Sequence, residues 1–438
     1  MLKGFKKTAK VNRSLRLFTG LLLCGLAISN TYAAKFQLEK RQSIGLEFKQ
    51  FAHSSPSIDH NQDGSLIWQS NYRLSWQNDR GQLANELTIA PIIRYNSQDH
   101  ERSKVDFKSL SWTKIETNWE LRTGIRTISW RTTEAVNLVD IINQADASAN
   151  IDDEDKLGQA MVNWVWLNDH FSFELLALPF FRERIFPGDD ARLRGVYSID
   201  TDHAEYASKA ENKRLDAAMR FVLLLDQWEV AISHFSGTSR EPILFLADPQ
   251  LAELRPFYPV IEQTGLQIEY ATDNWLWKLE AITRNGFTLP SQFLSGLPSA
   301  MPSRYSAAVA GFEVSLPPLF NPDYDYSLLT EYLWDQRRGE ALANDLFIGL
   351  RIGFNDLQGS ELLLGSIIDL DRQEYLTFIE HSYRNNSNGK IDLTVRLFDA
   401  PGNASSRALE TDFFELHNDD YIAPVSYTHL TLPTILLV

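Results

Sequence analysis

Along most of its length the chain alternates between apolar and polar positions. Segments such as SLIWQSNYRLSW, NELTIAPIIRY, WELRTGIRTISW, WLWKLEAIT and KIDLTVRLF are rich in aromatic and β-branched residues and change polarity at every step. A period of two is that of a β-strand whose two faces meet different surroundings. In WELRTGIRT, Trp119, Leu121 and Ile125 share one face, with Glu120, Arg122 and Arg126 on the other. In WLWKLEAIT, Trp275, Trp277, Leu279 and Ala281 oppose Lys278 and Glu280, and in KIDLTVRLF, Ile391, Leu393, Val395 and Leu397 oppose Lys390, Asp392 and Arg396. No repeat or low-complexity linker divides the chain, so the pattern predicts one β domain.

The connections between these segments sort by length. AHSSPSIDHNQDG is long and NDRG short, and long and short links alternate almost to the end. The exceptions are PPLFNPDYD, where a short turn is due, and LDRQE, where a long loop is due. In an up-and-down barrel all odd links lie at one end and all even links at the other, and outer-membrane barrels keep long loops outside. A Greek-key sandwich has no reason to sort its loops so. The expectation is therefore an all-β, transmembrane, up-and-down antiparallel barrel of about 18 strands, with 16 also tenable. Trp68, Trp76, Trp112, Trp119, Trp130, Trp228, Trp275 and Trp334, at segment ends, are the expected interfacial girdles.

One link is unusual. After Trp130 the fifth segment gives way to RTTEAVNLVDIINQADASANIDDEDK, the third long loop by this count. TTEAVNLVDIIN has a capping-type start and an apolar stripe, which predicts a short helix on the inner wall. Arg131, Glu134, Asp140, Asn143 and Asp146 would then face a lumen bearing Arg122, Arg126, Lys278, Glu280 and Arg396. Opposed charges in a narrow passage set its selectivity.

GIRTISWRTTEAVNLVDIINQAD resembles the Arg, Trp, Asp-x-x-Asn pattern of proteobacterial outer-membrane barrels that are similar to alginate-export porins. Arg126, Trp130, Asp140 and Asn143 carry the likeness, and Pro179, Phe180 and Arg182 in ALPFFRERIFP form a second such spot. Arg131 and Thr132 depart from the pattern, where these barrels often carry Gly and an acidic residue. The resemblance implies a non-enzymatic channel for small hydrophilic solutes, anionic saccharides among them. It implies outer-membrane lipid, lipopolysaccharide and the barrel-assembly machinery as surroundings, with no cofactor.

The ends refine the picture. Residues 1–33 read as a secretory signal peptide, with Lys3, Lys6, Lys7, Lys10, Arg13 and Arg16 before the apolar LFTGLLLCGLAIS. That run holds Cys24, the one cysteine, so residues 34–424, read as the barrel, have no thiol chemistry. Removing those six basic residues from 42 leaves 36 against 57 acidic ones, a balance of −21, which argues against a nucleic-acid partner. The segment VSYTHLTLPTILLV, residues 425–438, resembles a translated sequencing-adapter tail standing in place of the final strand.

Other chemistry is thin. Asp59, Asn61 and Asp63 in DHNQDG start like a calcium loop, but the twelfth position is Ser70, not Glu, so a polar loop is favoured. The 9 histidines show no metal spacing, and Ser233 beside His234 points to the opposite face. Two other readings stay open. One is a barrel enzyme acting on lipid or glycan, which needs a Ser, a His and an acid meeting on adjacent strands at the rim. The other is a soluble periplasmic β protein that binds polysaccharide.

Overall fold

The computed structural model describes residues 36–55, 58–78, 81–248, 253–290, 303–337, 342–400, 416–431 and 435–437. The expected signal peptide lies outside them. The strands, in chain order, begin with β1 (Phe36–Phe51), β2 (Gln62–Gln77), β3 (Leu83–Asn96), β4 (Lys104–Ile115), β5 (Trp119–Arg126), β6 (Gln159–Leu167) and β7 (Phe171–Leu178). Next come β8 (Ser198–Ile199), β9 (Glu205–Tyr206), β10 (Asp216–Leu225), β11 (Trp228–Thr238), β12 (Ile243–Asp248) and β13 (Glu253–Tyr258). They continue with β14 (Val260–Ala271), β15 (Trp275–Asn285), β16 (Arg304–Leu316), β17 (Asp325–Asp335) and β18 (Asn344–Gly353). The last are β19 (Glu361–Asp369), β20 (Tyr375–Asn386), β21 (Gly389–Asp399), β22 (Tyr421–Thr431) and β23 (Ile435–Leu437).

Eighteen of these form a closed antiparallel barrel. Neighbours in the order β1 to β7, β10, β11 and β14 to β22 pair in turn, and β22 returns to β1 from Phe51↔Tyr421 to Arg41↔Thr431. β23 continues along the start of β1. Closure leaves no unpaired edge, the condition for a sheet to cross lipid. Residues 425–428 pair with β21 on one side, and residues 425–431 lie along β1 on the other.

The loop sorting is as expected. Links 116–118, 168–170, 226–227, 272–274 and 387–388 lie at one end, and links 127–158, 179–215 and 239–259 at the other. Links 317–324 and 370–374 are the two exceptions. Links 179–215 and 239–259 also form a small sheet that the sequence reading did not anticipate. In it β13 pairs with β12 antiparallel and with β8 and β9 parallel. Its strands are too short to show a period.

The polarity is inside out. Leu46, Phe48, Met219, Phe221, Ile232 and Trp277 are exposed on the outer wall, while Glu280, Glu331, Asp345 and Arg396 point inward and are buried. A soluble β protein does the reverse, and a lipid-facing wall does this. No helix among the described residues is long and apolar enough to cross a membrane. Trp228, Trp275 and Trp334 sit exposed on the outer wall, where girdle residues belong. Trp130 does not: it is fully buried, inside the barrel. One glycine is dictated by geometry. Gly124 in β5 has φ +125°, and a Cβ there would lie 2.2 Å from the Leu110 carbonyl oxygen.

The long-loop end carries a clasp. Arg192, in the link after β7, is buried and donates to Asp419 Oδ1 at 2.7 and 2.9 Å. It also donates to Asn61 Oδ1 and to the carbonyls of His53, His60 and Asn418. Its guanidinium lies over the Phe51 ring.

The outer wall gives a direct expectation. Ile232→Arg, in the middle of the apolar belt, should destabilise the barrel by about 2–4 kcal/mol, read as the shift in urea unfolding in lipid vesicles. A change within error would mean that this face does not meet hydrocarbon.

Candidate functional site

The link 127–158 leaves β5 and crosses the lumen to the opposite wall. Its backbone is caught there by side chains. Glu280 on β15 accepts from the N–H groups of Thr132 at 2.9 Å, Leu138 at 2.8 Å and Val139 at 3.1 Å. Glu331 on β17 accepts from Glu134 and Ala135, each at 2.8 Å. On β14, Gln267 Nε2 donates to the Trp130 carbonyl and the Thr132 hydroxyl. Both carboxylates are buried. The expected helix is absent; of the latched N–H groups, those of Leu138 and Val139, which a helix would pair internally, are spent on Glu280. The segment runs as bends and turns.

The base of the crossing is fixed by Asn143. Its Oδ1 accepts from Ile128 N–H at 2.9 Å, and its Nδ2 donates to the carbonyls of Arg126 and Leu157, both at 2.8 Å. Asp140 accepts from Trp130 N–H, and burial pushes its carboxyl above the ordinary range. Trp130 donates through Nε1 to Glu174 and lies under Arg220. Apolar residues finish the seal. Val139, Ile141 and Ile142 pack with Leu176, Phe235, Ile261 and Ile282, while Ala135, Val136 and Leu138 pack toward Leu333, Phe347 and Ile367.

What stays open is a cavity of about 690 Å³. One side is basic. Arg240 lies over Phe235, and Arg284 and Arg337 lie over Tyr305, with Arg337 at 3.9 Å from its ring centroid. Glu241 joins Arg284 and Arg337 at 2.6 and 3.1 Å, and despite its burial their charges hold it down to about 2. The other side is acidic, with Asp152, Asp153, Glu154 and Asp155 on the crossing segment. Arg131 pairs with Glu154 at 2.5 Å, Arg184 with Asp153 at 2.5 Å, and Arg396 with Asp152 at 3.5 Å. Burial first, and the neighbouring Glu154 second, push the Asp152 carboxyl up to about 6 against the pull of Arg396.

The residues singled out from sequence divide in two. Arg131, Glu134, Asp140, Asn143 and Arg396 line this cavity together. Glu134 is held at 2.9 Å by Arg351 of β18, and Arg396 donates to Glu380 at 2.5 Å. Arg122, Arg126, Lys278 and Glu280 do not line it. Glu280 lies beneath the segment as its anchor, and Arg122 pairs with Glu120 at 2.5 Å. Asp146 is buried against Lys104. The weak calcium candidates Asn61 and Asp63 have protein partners. Asp63 accepts from Arg102 and Asn96, and Asn61 accepts from Arg192. Among the described residues no group of three or more His, Cys, Asp or Glu is placed to hold a metal.

Sequence reading missed Glu331, Gln267 and the trio Arg240, Arg284 and Arg337. A signal for the trio was present. Each lies at or just past the long-loop end of β11, β15 or β17, strands that run in the same direction.

No family model matches the chain, and no curated protein matches its sequence. Solved structures do match. The fold is a porin fold. A BenF-like porin from Pseudomonas fluorescens Pf-5 aligns with TM-score 0.51 at 6% identity, over 91% of this chain and 99% of that one. OpdQ of Pseudomonas aeruginosa aligns with TM-score 0.51 at 10% identity, over 92% and 100%. OccK2 (OpdF) of the same organism, solved in complex with glucuronate, aligns with TM-score 0.50 at 9% identity, over 90% and 98%. At these identities the likeness is one of fold, shared over nearly the whole of each chain.

Two outcomes follow from the geometry. Replacing both Glu280 and Glu331 with Ala removes the acceptors of five backbone N–H bonds, each worth about 1.5–3 kcal/mol when the partner is charged. Unitary conductance in a planar bilayer should rise several-fold and become noisy; unchanged, quiet steps would count against the latch. The second concerns pH. Asp152 is charged above about 6 and neutral below it. It faces Arg396 of β21, Glu380 of β20 and, on its own segment, Asn150, Glu154 and Asp155. Lowering the pH from 7 to 5 should move the reversal potential in a salt gradient toward anion preference, and Asp152→Asn should abolish that step.

Proposed function

We propose that this protein is an outer-membrane channel of a Gram-negative bacterium for passive passage of small anionic solutes, with saccharide acids foremost. One observation carries the reading: a lumen narrowed by a latched crossing segment, with Arg240, Arg284 and Arg337 on one side of the open space and the acidic run 152–155 on the other. In such a gap water is scarce, charges act at full strength, and a carboxylate exchanges its hydration for successive guanidinium groups. Ring faces of Phe235, Phe287 and Tyr305 hold those guanidiniums in place, and Asp216, Glu241 and Asp335 pair with them. Further support comes from the outward apolar belt, the N-terminal signal pattern and the glucuronate bound by one similar structure. The likeness of the Trp130–Asn143 stretch to barrels similar to alginate-export porins points to the same class of sugar acid.

The test is single-channel recording with the purified barrel in a planar bilayer. Ohmic steps with anion preference, reduced in a concentration-dependent way by glucuronate, are the expected result. Arg284→Gln combined with Arg337→Gln should lower the anion-over-cation permeability ratio about fivefold, the factor set by roughly 1 kcal/mol of attraction at contact distance near water. A cation-selective pore that ignores glucuronate would overturn the saccharide-acid reading.

A further inference from the structure

The outer wall of β11 and β14 carries a polar cluster. His234 and Ser236 are two residues apart on β11 and so share a face, and their cross-strand partners on β14 are Thr264 and Glu262. The Ser236 hydroxyl donates to Glu262 Oε1 at 2.6 Å. His234 meets the other carboxylate oxygen through Nε2 at 3.0 Å and the Thr264 hydroxyl through Nδ1 at 3.0 Å. The face is the outward one, because Trp228 and Ile232, at even spacing below His234, are exposed. This is the meeting of serine, histidine and acid on adjacent strands that a barrel hydrolase requires. The sequence reading passed over it by weighing Ser233 rather than Ser236.

Its height matters. Trp228 follows a tight turn and marks one edge of the belt. His234 lies six residues along the strand, roughly 20 Å at 3.3 Å per residue and about 15 Å in height for a 40° tilt. Ser236 and Glu262 then stand at about 20 Å in a belt of about 25 Å. So near the edge of the belt a lipid-facing carboxylate and imidazole are cheap to hold. The outer margin of the hydrocarbon is also where lipid acyl-ester carbonyls lie.

We propose that Ser236, Glu262 and His234 form a hydrolytic site for acyl esters at the outer margin of the membrane, separate from the channel. Ser236 Oγ attacks the ester carbonyl carbon and passes its proton to Glu262 Oε1. The C–O bond of the ester breaks as that proton moves to the departing alkoxide, leaving the acyl group on Ser236. Water then attacks the acyl carbon, gives one proton to the same carboxylate, and releases the free acid while Ser236 regains a proton. His234, held by Thr264, fixes the second oxygen of Glu262 and so sets the carboxylate against the hydroxyl. On the same register line beyond Glu262 lie Asn285 of β15 and Arg304 of β16, an amide and a cation on the side where the oxyanion forms.

The experiment exposes the full-length barrel, in vesicles of diacyl phospholipid, to a fluorophosphonate probe, then maps the adduct by mass spectrometry and measures fatty-acid release. Conductance is recorded on the same preparations. The expected result is an adduct on Ser236 with slow fatty-acid release. Both should be lost in Ser236→Ala and reduced about a hundredfold or more in Glu262→Gln, with conductance unchanged in either variant. A conducting barrel that takes no adduct and releases no fatty acid would overturn the proposal and leave the channel reading intact. An adduct that persists in Ser236→Ala would overturn it as well. Labelling at Ser236 in a barrel that never conducts would uphold the hydrolytic site and overturn the channel reading.

Discussion

Five backbone N–H groups of the segment between β5 and β6 end on Glu280 and Glu331, and the pore has its present shape because they do. A buried carboxylate without partners is among the costliest things a protein can hold. A peptide strand crossing an open lumen has the opposite need, for acceptors. Each defect answers the other. With the segment on the far wall, the apolar positions of 135–142 find the inward apolar residues of β11, β14, β15 and β17, and the remaining slot is a cavity of about 690 Å³.

Within that slot the charges are arranged, not merely present. Arg284 and Arg337 share Glu241, Arg337 also holds Asp335, and aromatic rings lie beneath both guanidiniums. The opposing acids come from the crossing segment itself. Moving that segment therefore changes the width and the field together, which ties both to the same two anchors.

The barrel was legible because its constraint acts on every residue: strands wet on one side and greasy on the other must alternate, and links at two unlike ends must sort by length. Alternation correctly placed Lys278, Glu280 and Arg396 on the inner face. It could not tell that Glu280 faces a peptide rather than water, since both partners suit a carboxylate. The helix expected at 132–143 failed for the same reason, because an apolar stripe with a capping residue fits a helix as well as a segment pinned to a wall. Trp130 was misplaced because it ends a strand-like segment, while the described strand stops at Arg126. The small sheet of β8, β9, β12 and β13 was invisible because two parallel pairings of two residues leave no periodic trace.

The clasp made by Arg192 has a consequence for how the barrel is completed. One residue near the middle of the chain holds His53, His60 and Asn61 from the first hairpin, and Asn418 and Asp419 from the approach to the last strand. Those partners flank the seam where β1 meets β22, and they come together only once that seam has zipped. The guanidinium acts as a keystone: it makes the two ends of the sheet answer to its middle. The seam can then part only if the long-loop end of the barrel gives way with it.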